Sequence, residues 1–160
     1  MTFAPNTATR PAILLVDDDP DARMILREAL AEAVPHAAIH EVASGEEALD
    51  FLYARERYAR APRPALIYLD IEMPGEGGQT TLAKIRQDPR FADIPVVVLT
   101  SMTDDVQKRL AAVNGANSFA LKPSTQAELT ETIRQITEYW THLHQRPDHE
   151  DTDGFRIASA

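Results

Sequence analysis

Residues 12–20 read AILLVDDDP, in which five apolar side chains are followed by three aspartates and a proline. Five consecutive apolar residues are typical of a strand that is covered on both faces, as in a parallel sheet. Asp19 followed by Pro20 is typical of a helix N-terminus, because aspartate caps the first turn and proline fits within it. The stretch therefore predicts a strand, an acidic turn and a helix in succession.

The same succession of a short apolar run and a longer amphipathic segment recurs along the chain. Such alternation is typical of βα units around a parallel sheet. Helices are expected near 20–34, from about 44, at 79–86, at 104–113 and from 125 to about 146. The predicted strands are Ala12–Val16, Ala38–Val42, Ala65–Leu69, Pro95–Leu99 and Ser118–Leu121. We predict a flavodoxin-like, doubly wound α/β fold, (βα)5, with a five-stranded parallel sheet of order 2-1-3-4-5 and an extended C-terminal helix.

Length and composition limit the classes of function. A chain of 160 residues is enough for one ordinary domain. The net charge of −9 repels phosphate groups, which argues against nucleic-acid or anionic-membrane binding. The sequence has no apolar run of the ~20 residues that a membrane span needs, no secretory signal pattern and no cysteine. We therefore expect a cytoplasmic protein without a nucleic-acid or membrane partner.

The two ends of the chain differ from its middle. Residues 1–10 and 147–160 are polar and lack periodicity, which predicts a flexible N-terminal tail and a disordered C-terminal tail. One domain, including the extended last helix, is expected over residues 11–146. Within it, residues 55–64 (RERYARAPRP) form a basic, proline-bearing connection, interpreted either as a solvated turn or as a contact for a partner.

Polar side chains follow four of the predicted strands. Asp17 and Asp18 follow the first strand, Asp70 the third, Thr100 the fourth and Lys122 the fifth. The carboxyl ends of parallel strands share one edge of the sheet, and strands one and three are neighbours in the predicted order, so the aspartates are expected to meet. Crowded carboxylates repel one another, and Mg²⁺ is the expected cofactor because it prefers oxygen ligands. Lys122 and Thr100 would complete a site for phosphoryl chemistry.

In combination these motifs resemble the receiver domains of two-component response regulators, over about residues 12–140. The resemblance lies in AILLVDDDP, IYLDIEMPGEGG, PVVVLTS and NSFALKP. The segments FLYARERYARAPRP, RQDPRFADIPVVVLT and ITEYWTHLHQ are more specifically similar to single-domain regulators that are paired with phytochrome-type sensor histidine kinases. The resemblance implies that such a kinase is the partner.

The resemblance also implies a role for each site residue. Asp70 would be the phosphoacceptor, Lys122 would contact the phosphoryl group, and Thr100 and Phe119 would be switch residues. The acyl phosphate would form and hydrolyse by self-catalysed reactions. The chain would therefore act primarily as a signalling phosphoacceptor and only secondarily as an enzyme. The implied Mg²⁺ ligands are Asp17, Asp18, Asp70 and the backbone carbonyl of Glu72.

Further implications concern the surface and the backbone. The signalling surface would be formed by the fourth helix, the fifth strand and the fifth helix. The Lys122–Pro123 bond would be cis. The chain departs from the family pattern at Gly77, where an acidic or amide residue is usual, and at Phe119, where many members have tyrosine. Gly77 and Gly78 together are expected to make the loop after Asp70 more mobile.

The last predicted helix carries apolar residues at alternating steps of four and three. Core packing accounts for Leu129, Ile133 and Ile136, whereas Trp140 and Leu143 are less easily covered. We expect a homodimer through this helix, with Ile136, Trp140 and Leu143 among its contacts.

Two alternative functions stay open at this point. A Mg²⁺-dependent phosphatase could use Asp17 as its nucleophile and Asp19 as its acid and base. It would not need Asp70, and it usually has a further acidic pair after the lysine strand, which the sequence lacks. An unphosphorylated interaction scaffold could also keep this fold.

Overall fold

The computed structural model describes residues 10–75, 77–101, 104–142 and 156–157. Most of both predicted tails lies outside these residues, as do positions 143–146 of the predicted helix extension, including Leu143.

Five parallel strands form the sheet in the order β2-β1-β3-β4-β5, which confirms the predicted topology. The third and fourth strands each begin one residue later than predicted, and the fourth continues to Thr100. Pro95 has no N–H to donate to a neighbouring strand, although its carbonyl accepts from the Ile67 N–H at 2.9 Å. The strands are β1 (Ala12–Val16), β2 (Ala38–Val42), β3 (Leu66–Leu69), β4 (Val96–Thr100) and β5 (Ser118–Leu121).

A short sixth strand, β6 (Arg156–Ile157), pairs in parallel with β5 and extends the sheet at that edge. This strand was not predicted from the sequence. A strand of two residues is too short to show the alternation from which strands are predicted.

Five α-helices connect or follow the strands, and four of them begin at capping side chains. Thr125 Oγ1 accepts from the Glu128 N–H at 3.2 Å ahead of the last helix. Asp19 accepts from the Asp21 N–H at 3.0 Å, Ser44 from the Glu47 N–H at 3.1 Å and Asp104 from the Val106 N–H at 2.8 Å. The helices are α1 (Pro20–Ala33), α2 (Gly45–Leu52), α3 (Gly77–Gln87), α4 (Asp105–Val113) and α5 (Gln126–His142), with 3₁₀ turns at Glu56–Tyr58 and Pro89–Phe91. Within the described residues, no helix is both long and apolar enough to cross a bilayer.

The core has two layers because successive strand residues point to opposite faces of the sheet. On one face, Leu15 and Tyr68 of the strands pack against Leu30 of α1 and Ile133 of α5. On the other face, Val16, Ile67 and Phe119 of the strands are covered by α2, α3 and α4, with Leu82 contributed by α3.

The packing of α5 changes the interpretation of two predicted dimer contacts. Ile136 and Trp140 are 5% and 6% exposed in the core layer formed with α1. The Trp140 Nε1–H donates to Ser118 Oγ at 3.2 Å, which fixes the indole against β5. The expectation that these two side chains are available to a second copy is therefore wrong, because the chain itself covers them.

Candidate functional site

Two buried aspartates leave the sheet side by side. Val16 and Leu69 are register partners in β1 and β3, so the residues after them, Asp17 and Asp70, reach the same edge. The Asp70 N–H donates to the Val16 carbonyl at 3.0 Å, which continues the pairing by one residue. The sheet topology thus brings together two carboxylates that are far apart in sequence.

Lys122 joins these carboxylates. Its Nζ lies 3.0 Å from Asp17 Oδ2 and 3.2 Å from Asp70 Oδ2. The Lys122 side chain is 22% exposed, against 3% and 8% for the two carboxylates, so solvent weakens these interactions little. Its backbone N–H donates to the Thr100 carbonyl at 2.9 Å, which positions it directly beyond β5.

The oxygens of Asp17 and Asp70 that do not contact Lys122 accept hydrogen bonds from backbone N–H groups. The Glu72 N–H donates to Asp70 Oδ1 at 2.8 Å, and the Asp19 N–H donates to Asp17 Oδ1 at 3.0 Å. Arg23 Nη1 donates to the Asp17 carbonyl at 2.7 Å and secures the turn. Each carboxylate is therefore fixed at both oxygens before any ligand binds.

Burial and neighbouring charges shift the pKa values of Asp70 and Lys122. Burial raises the pKa of Asp70, and the nearby Asp17 charge raises it further, despite the Glu72 N–H and Lys122, which lower it. Burial lowers the pKa of Lys122, but Asp70 and Asp17 outweigh this effect, so its pKa is raised overall. Lys122 is therefore protonated at neutral pH, and additional positive charge would favour the ionised form of Asp70.

The chemistry of the donors fits a hard divalent cation. Two buried carboxylates and the exposed Asp18 supply the oxygen ligands that Mg²⁺ prefers. In this structure Lys122 Nζ bridges Asp17 and Asp70. Over the described parts of the chain, no three His, Asp or Glu side chains are grouped at the spacing of metal ligands. The predicted ligand set of Asp17, Asp18, Asp70 and the Glu72 carbonyl stays a prediction.

The predicted switch residues share one face of the sheet. Thr100 is buried at the end of β4, two residues beyond Val98, so both point to the face covered by α2, α3 and α4. Phe119 is the register partner of Val98 and is buried in the same layer. The Lys122–Pro123 bond is trans, so the prediction of a cis bond is wrong; trans is the ordinary form even before proline.

Gly78 contributes to the site in a way that sequence reasoning missed. A Cβ atom at this position would lie 2.4 Å from Ile71 Cα and 2.5 Å from the Asp70 carbonyl oxygen. The first turn of α3 can therefore approach the loop that carries Asp70 only because residue 78 has no side chain. The adjacent glycines at 77 and 78 were the available signal, but they were interpreted as a source of loop mobility.

Comparisons with known proteins identify the family of this chain. Residues 13–134 match the family model of the response regulator receiver domain. The "Probable methanogenesis regulatory protein FilR2" of Methanothrix harundinacea is 34% identical over 135 residues, covering 84% of this chain and 86% of that protein. The response regulator Rcp1 of Synechocystis is 31% identical over 129 residues, covering 80% and 87%.

Solved structures show the same relationship. The phosphorylated cyanobacterial phytochrome response regulator RcpA superposes with a TM-score of 0.80 at 30% identity, covering 88% of this chain and all of that one. The Mn²⁺-bound form of Rcp1 superposes with a TM-score of 0.74 at 29% identity, covering 82% and 95%. This chain belongs to the response regulator receiver domain family and is related to the phytochrome response regulators.

Proposed function

We propose that this chain accepts a phosphoryl group on Asp70 from a sensor histidine kinase of the phytochrome type, in a Mg²⁺-dependent reaction, and signals through the α4-β5-α5 surface. The relationship to Rcp1 and RcpA supports the type of kinase. The predicted cytoplasmic location belongs to the same proposal.

One observation carries the choice of Asp70. Its Oδ2 contacts Lys122 Nζ, which also contacts the neighbouring Asp17, at the edge of the sheet where four polar strand ends meet. An acyl phosphate on Asp70 would therefore form beside a fixed cation, and its new negative charge would be neutralised where it develops.

The chain positions the acceptor for the transfer. As the bond from phosphorus to the kinase imidazole nitrogen breaks, its electron pair returns to that nitrogen, and a bond forms between phosphorus and an Asp70 oxygen. The Glu72 N–H holds Asp70 Oδ1, and Lys122 stabilises charge on the transferred group. Water later hydrolyses the acyl phosphate and restores the carboxylate.

Receiver domains generally bind Mg²⁺ at the phosphorylation site. When bound, Mg²⁺ would supply a second positive charge that draws the carboxylates and the phosphoryl oxygens together. Asp17, Asp18, Asp70 and the backbone carbonyl of Glu72 are the groups that would hold it. Burial raises the pKa of Asp70 and the Asp17 charge raises it further, so a bound cation would favour the ionised carboxylate, which supports this assignment.

The switch uses Thr100 and Phe119. A phosphoryl group on Asp70 offers the Thr100 hydroxyl new acceptor oxygens at the same edge of the sheet. Movement of Thr100 toward them would change the space beside Phe119, since both side chains lie on one face of the sheet. Because Phe119 has no hydroxyl, it would transmit the change to α4 and β5 through packing alone.

The site geometry does not favour the phosphatase alternative. Asp17 has one oxygen on Lys122 and the other on the Asp19 N–H. The Asp19 side chain accepts from the Asp21 N–H and caps α1. Asp19 therefore has a structural role at the position that a phosphatase would use for its acid and base.

A homodimer through the last helix is a separate part of the proposal. Because Ile136 and Trp140 are covered within the chain, exposed residues of α5 and α4 would have to form the contact. Sedimentation velocity at micromolar concentrations tests it, and a monomer throughout that range would remove it.

Phosphotransfer is tested by labelling with acetyl phosphate and Mg²⁺, followed by separation of the phosphorylated form. Wild type should be labelled, and Asp70→Asn should not, because an amide oxygen is a poor nucleophile. Asp93→Asn, at an exposed carboxylate ahead of β4, should be labelled as wild type. Full labelling of Asp70→Asn would reject the assignment, and failure of wild type to be labelled would favour the scaffold alternative.

A further inference from the structure

The connection between α2 and β3 is more ordered than a solvated turn requires. Residues 53–63, named here the arginine loop, contain four arginines and one acidic residue, in a chain whose net charge is −9. The phosphotransfer proposed above uses none of these residues. The positive charge of the arginine loop therefore needs a separate explanation.

The arginine loop lies at the opposite end of the sheet from Asp70. α2 follows the carboxyl end of β2 and returns to the amino end, where the loop enters β3. The turn at Pro89–Phe91 lies at the same end, since it follows α3 and precedes β4. A ligand on this surface would not contact the phosphoacceptor.

Tyr53 anchors one half of the surface. The guanidinium carbons of Arg55 and Arg90 each lie 4.8 Å from the Tyr53 ring centroid. The Tyr53 hydroxyl donates to Asp88 Oδ2 at 2.7 Å, and Arg90 donates to both Asp88 oxygens at 3.1 and 2.7 Å. Arg90 is thus oriented by a ring and a carboxylate together.

Tyr58 anchors the other half. Its ring packs against Phe51 with centroids 5.5 Å apart, and its hydroxyl donates to Glu47 Oε2 at 2.8 Å. Arg57 lies over the same ring and donates to the same Glu47 oxygen at 2.7 Å. Arg55, Arg57 and Arg90 are therefore each oriented by an aromatic ring and an acidic partner, which for Arg55 is Asp50 at 3.1 Å.

The backbone between these anchors is strained. Ala54 and Glu56 have φ values of 53° and 54°, in the left-handed region that residues other than glycine seldom adopt. Each costs about 1 kcal/mol or more and persists because the Tyr53 and Tyr58 contacts hold the flanking residues. A loop that served merely to connect α2 and β3 would not need this conformation.

A groove of about 460 Å³ opens beside the Tyr53 anchor. It is lined by Leu49, Tyr53, Lys84, Gln87, Asp88 and Pro89, which offer both apolar and polar contacts. Such a lining suits one apolar side chain of a ligand whose charged neighbours remain on the rim.

We propose that the arginine loop, Arg90 and the adjacent groove bind an extended acidic segment of a partner protein. Side chains of Arg55, Arg57 and Arg90 are 54%, 71% and 67% exposed, so their outer faces are accessible. The acidic partners within the chain orient these guanidiniums, and Arg60 and Arg63 add exposed positive charge. The arginines are spread along the surface, which matches separated carboxylates on an extended chain.

Charge also favours the arginine loop over the rest of the chain as the site for an acidic segment. The rest of the chain carries the acidic excess and repels an acidic segment, whereas the arginine loop attracts it. The surface is formed without any change at Asp70, so binding is expected with and without phosphorylation.

The probe for this surface is a fluorescent peptide in which glutamate alternates with leucine, and binding is measured by anisotropy at low salt. Wild type should bind it, and binding should weaken about tenfold in Arg60→Glu/Arg90→Glu, because two favourable charges become repulsive. Arg134→Glu, at a partly exposed arginine of α5, should bind as wild type, and so should Asp70→Asn. A peptide with serine in place of leucine should bind less tightly.

Arg60→Glu alone keeps the test independent of folding, since Arg60 makes no hydrogen bond or ion pair with the other described residues. Absence of binding to wild type, or equal weakening by Arg134→Glu, would overturn the proposal. Concentration-dependent self-association that Arg60→Glu abolishes would identify a second copy as the occupant and would also overturn it. Arg60→Glu should still be labelled by acetyl phosphate, which distinguishes failure of the peptide-binding proposal from failure of the phosphotransfer proposal.

Discussion

Lys122 and Asp70 form an ion pair in which Nζ lies 3.2 Å from Oδ2, and Asp17 shares the same ammonium group. One positive charge thus serves two buried carboxylates. Burial and the Asp17 charge keep the pKa of Asp70 above its ordinary value despite this contact. Ionised Asp70 is therefore less stable in the fold than in the unfolded chain, relative to its protonated form.

Asp70→Asn is expected to stabilise the protein at neutral pH. Because the pKa of Asp70 is higher in the folded state than its ordinary value of 3.8, folding favours the protonated carboxyl. The stability that this provides is complete below pH 3.8 and is lost as the pH rises through the pKa of the folded state. Asparagine cannot ionise and avoids this loss. We expect an increase of a few degrees in Tm at pH 7, since each kcal/mol shifts Tm by about 2 to 4 °C in a domain of this size.

Urea unfolding between about pH 4 and pH 8 measures this difference. The advantage of Asp70→Asn should grow with pH and become constant once Asp70 is ionised in the folded wild type. The control is Asp93→Asn, which removes one negative charge at an exposed position. An advantage that is largest at the lowest pH would contradict the assigned direction of the Asp70 pKa shift.

Gly78→Ala is expected to disturb the loop that carries Asp70. The added methyl would meet two backbone atoms, Ile71 Cα at 2.4 Å and the Asp70 carbonyl oxygen at 2.5 Å, and neither can move without shifting the loop. We expect a loss of about 1 to 3 kcal/mol in the free energy of unfolding, as for other overpacked positions. Labelling by acetyl phosphate should slow as Asp70 is displaced.

Gly77→Ala is the matched control. Its Cβ would meet no atom within 4 Å, but its φ of +73° is unfavourable for alanine. It should therefore lose stability through backbone strain while keeping normal labelling of Asp70. If both variants were labelled equally, close packing of α3 on the loop would have no part in positioning Asp70.

The sheet and its polar edge were predictable because their signals are local and strong. Continuous apolar runs marked β1, β3 and β4, whereas β2 (AIHEV) and β5 (SFAL) also contain polar residues. The change from Val16 to three aspartates marked where β1 ends. Asp17, Asp70 and Lys122 could then be placed together from the topology of parallel sheets alone.

The predictions that were wrong or missing depend on contacts between distant residues. Trp140 was expected to be uncovered because helix periodicity does not show that Ser118 accepts its indole N–H. The contact of Gly78 with the Asp70 loop depends on how closely α3 approaches β3, and β6 on a pairing of two residues. None of these distances is encoded in a periodic pattern.

Gln79 is expected to hold α4 against α3. Its Nε2 donates to the Gln107 carbonyl at 2.9 Å, and its Oε1 accepts from Asn114 Nδ2 at 3.0 Å, so it contacts both ends of α4. Ala111 is the one described residue of α4 that is fully buried, so these hydrogen bonds are a large part of its attachment. Gln79→Ala should raise amide hydrogen exchange in α4 by about two- to tenfold, from a loss of about 0.5 to 1.5 kcal/mol.

Thr80→Ala removes an exposed side chain from the same turn of α3 and should leave exchange in α4 unchanged. Exchange in α5 serves as an internal reference in both variants. Equal protection of α4 in wild type and Gln79→Ala would show that apolar packing alone positions this helix.

Tyr68 links β3 to α5 through a buried hydroxyl pair. Its Oη lies 2.7 Å from Thr137 Oγ1, and burial raises the pKa of Tyr68 well above its ordinary value. Tyr68→Phe should lower the free energy of unfolding by about 1 to 3 kcal/mol, because the Thr137 hydroxyl loses this buried partner. Urea unfolding of the single variants and of Tyr68→Phe/Thr137→Val measures the coupling. The double variant should be less destabilised than the sum of the two, since no polar atom of the pair remains buried, and strict additivity would show that the two hydroxyls do not interact.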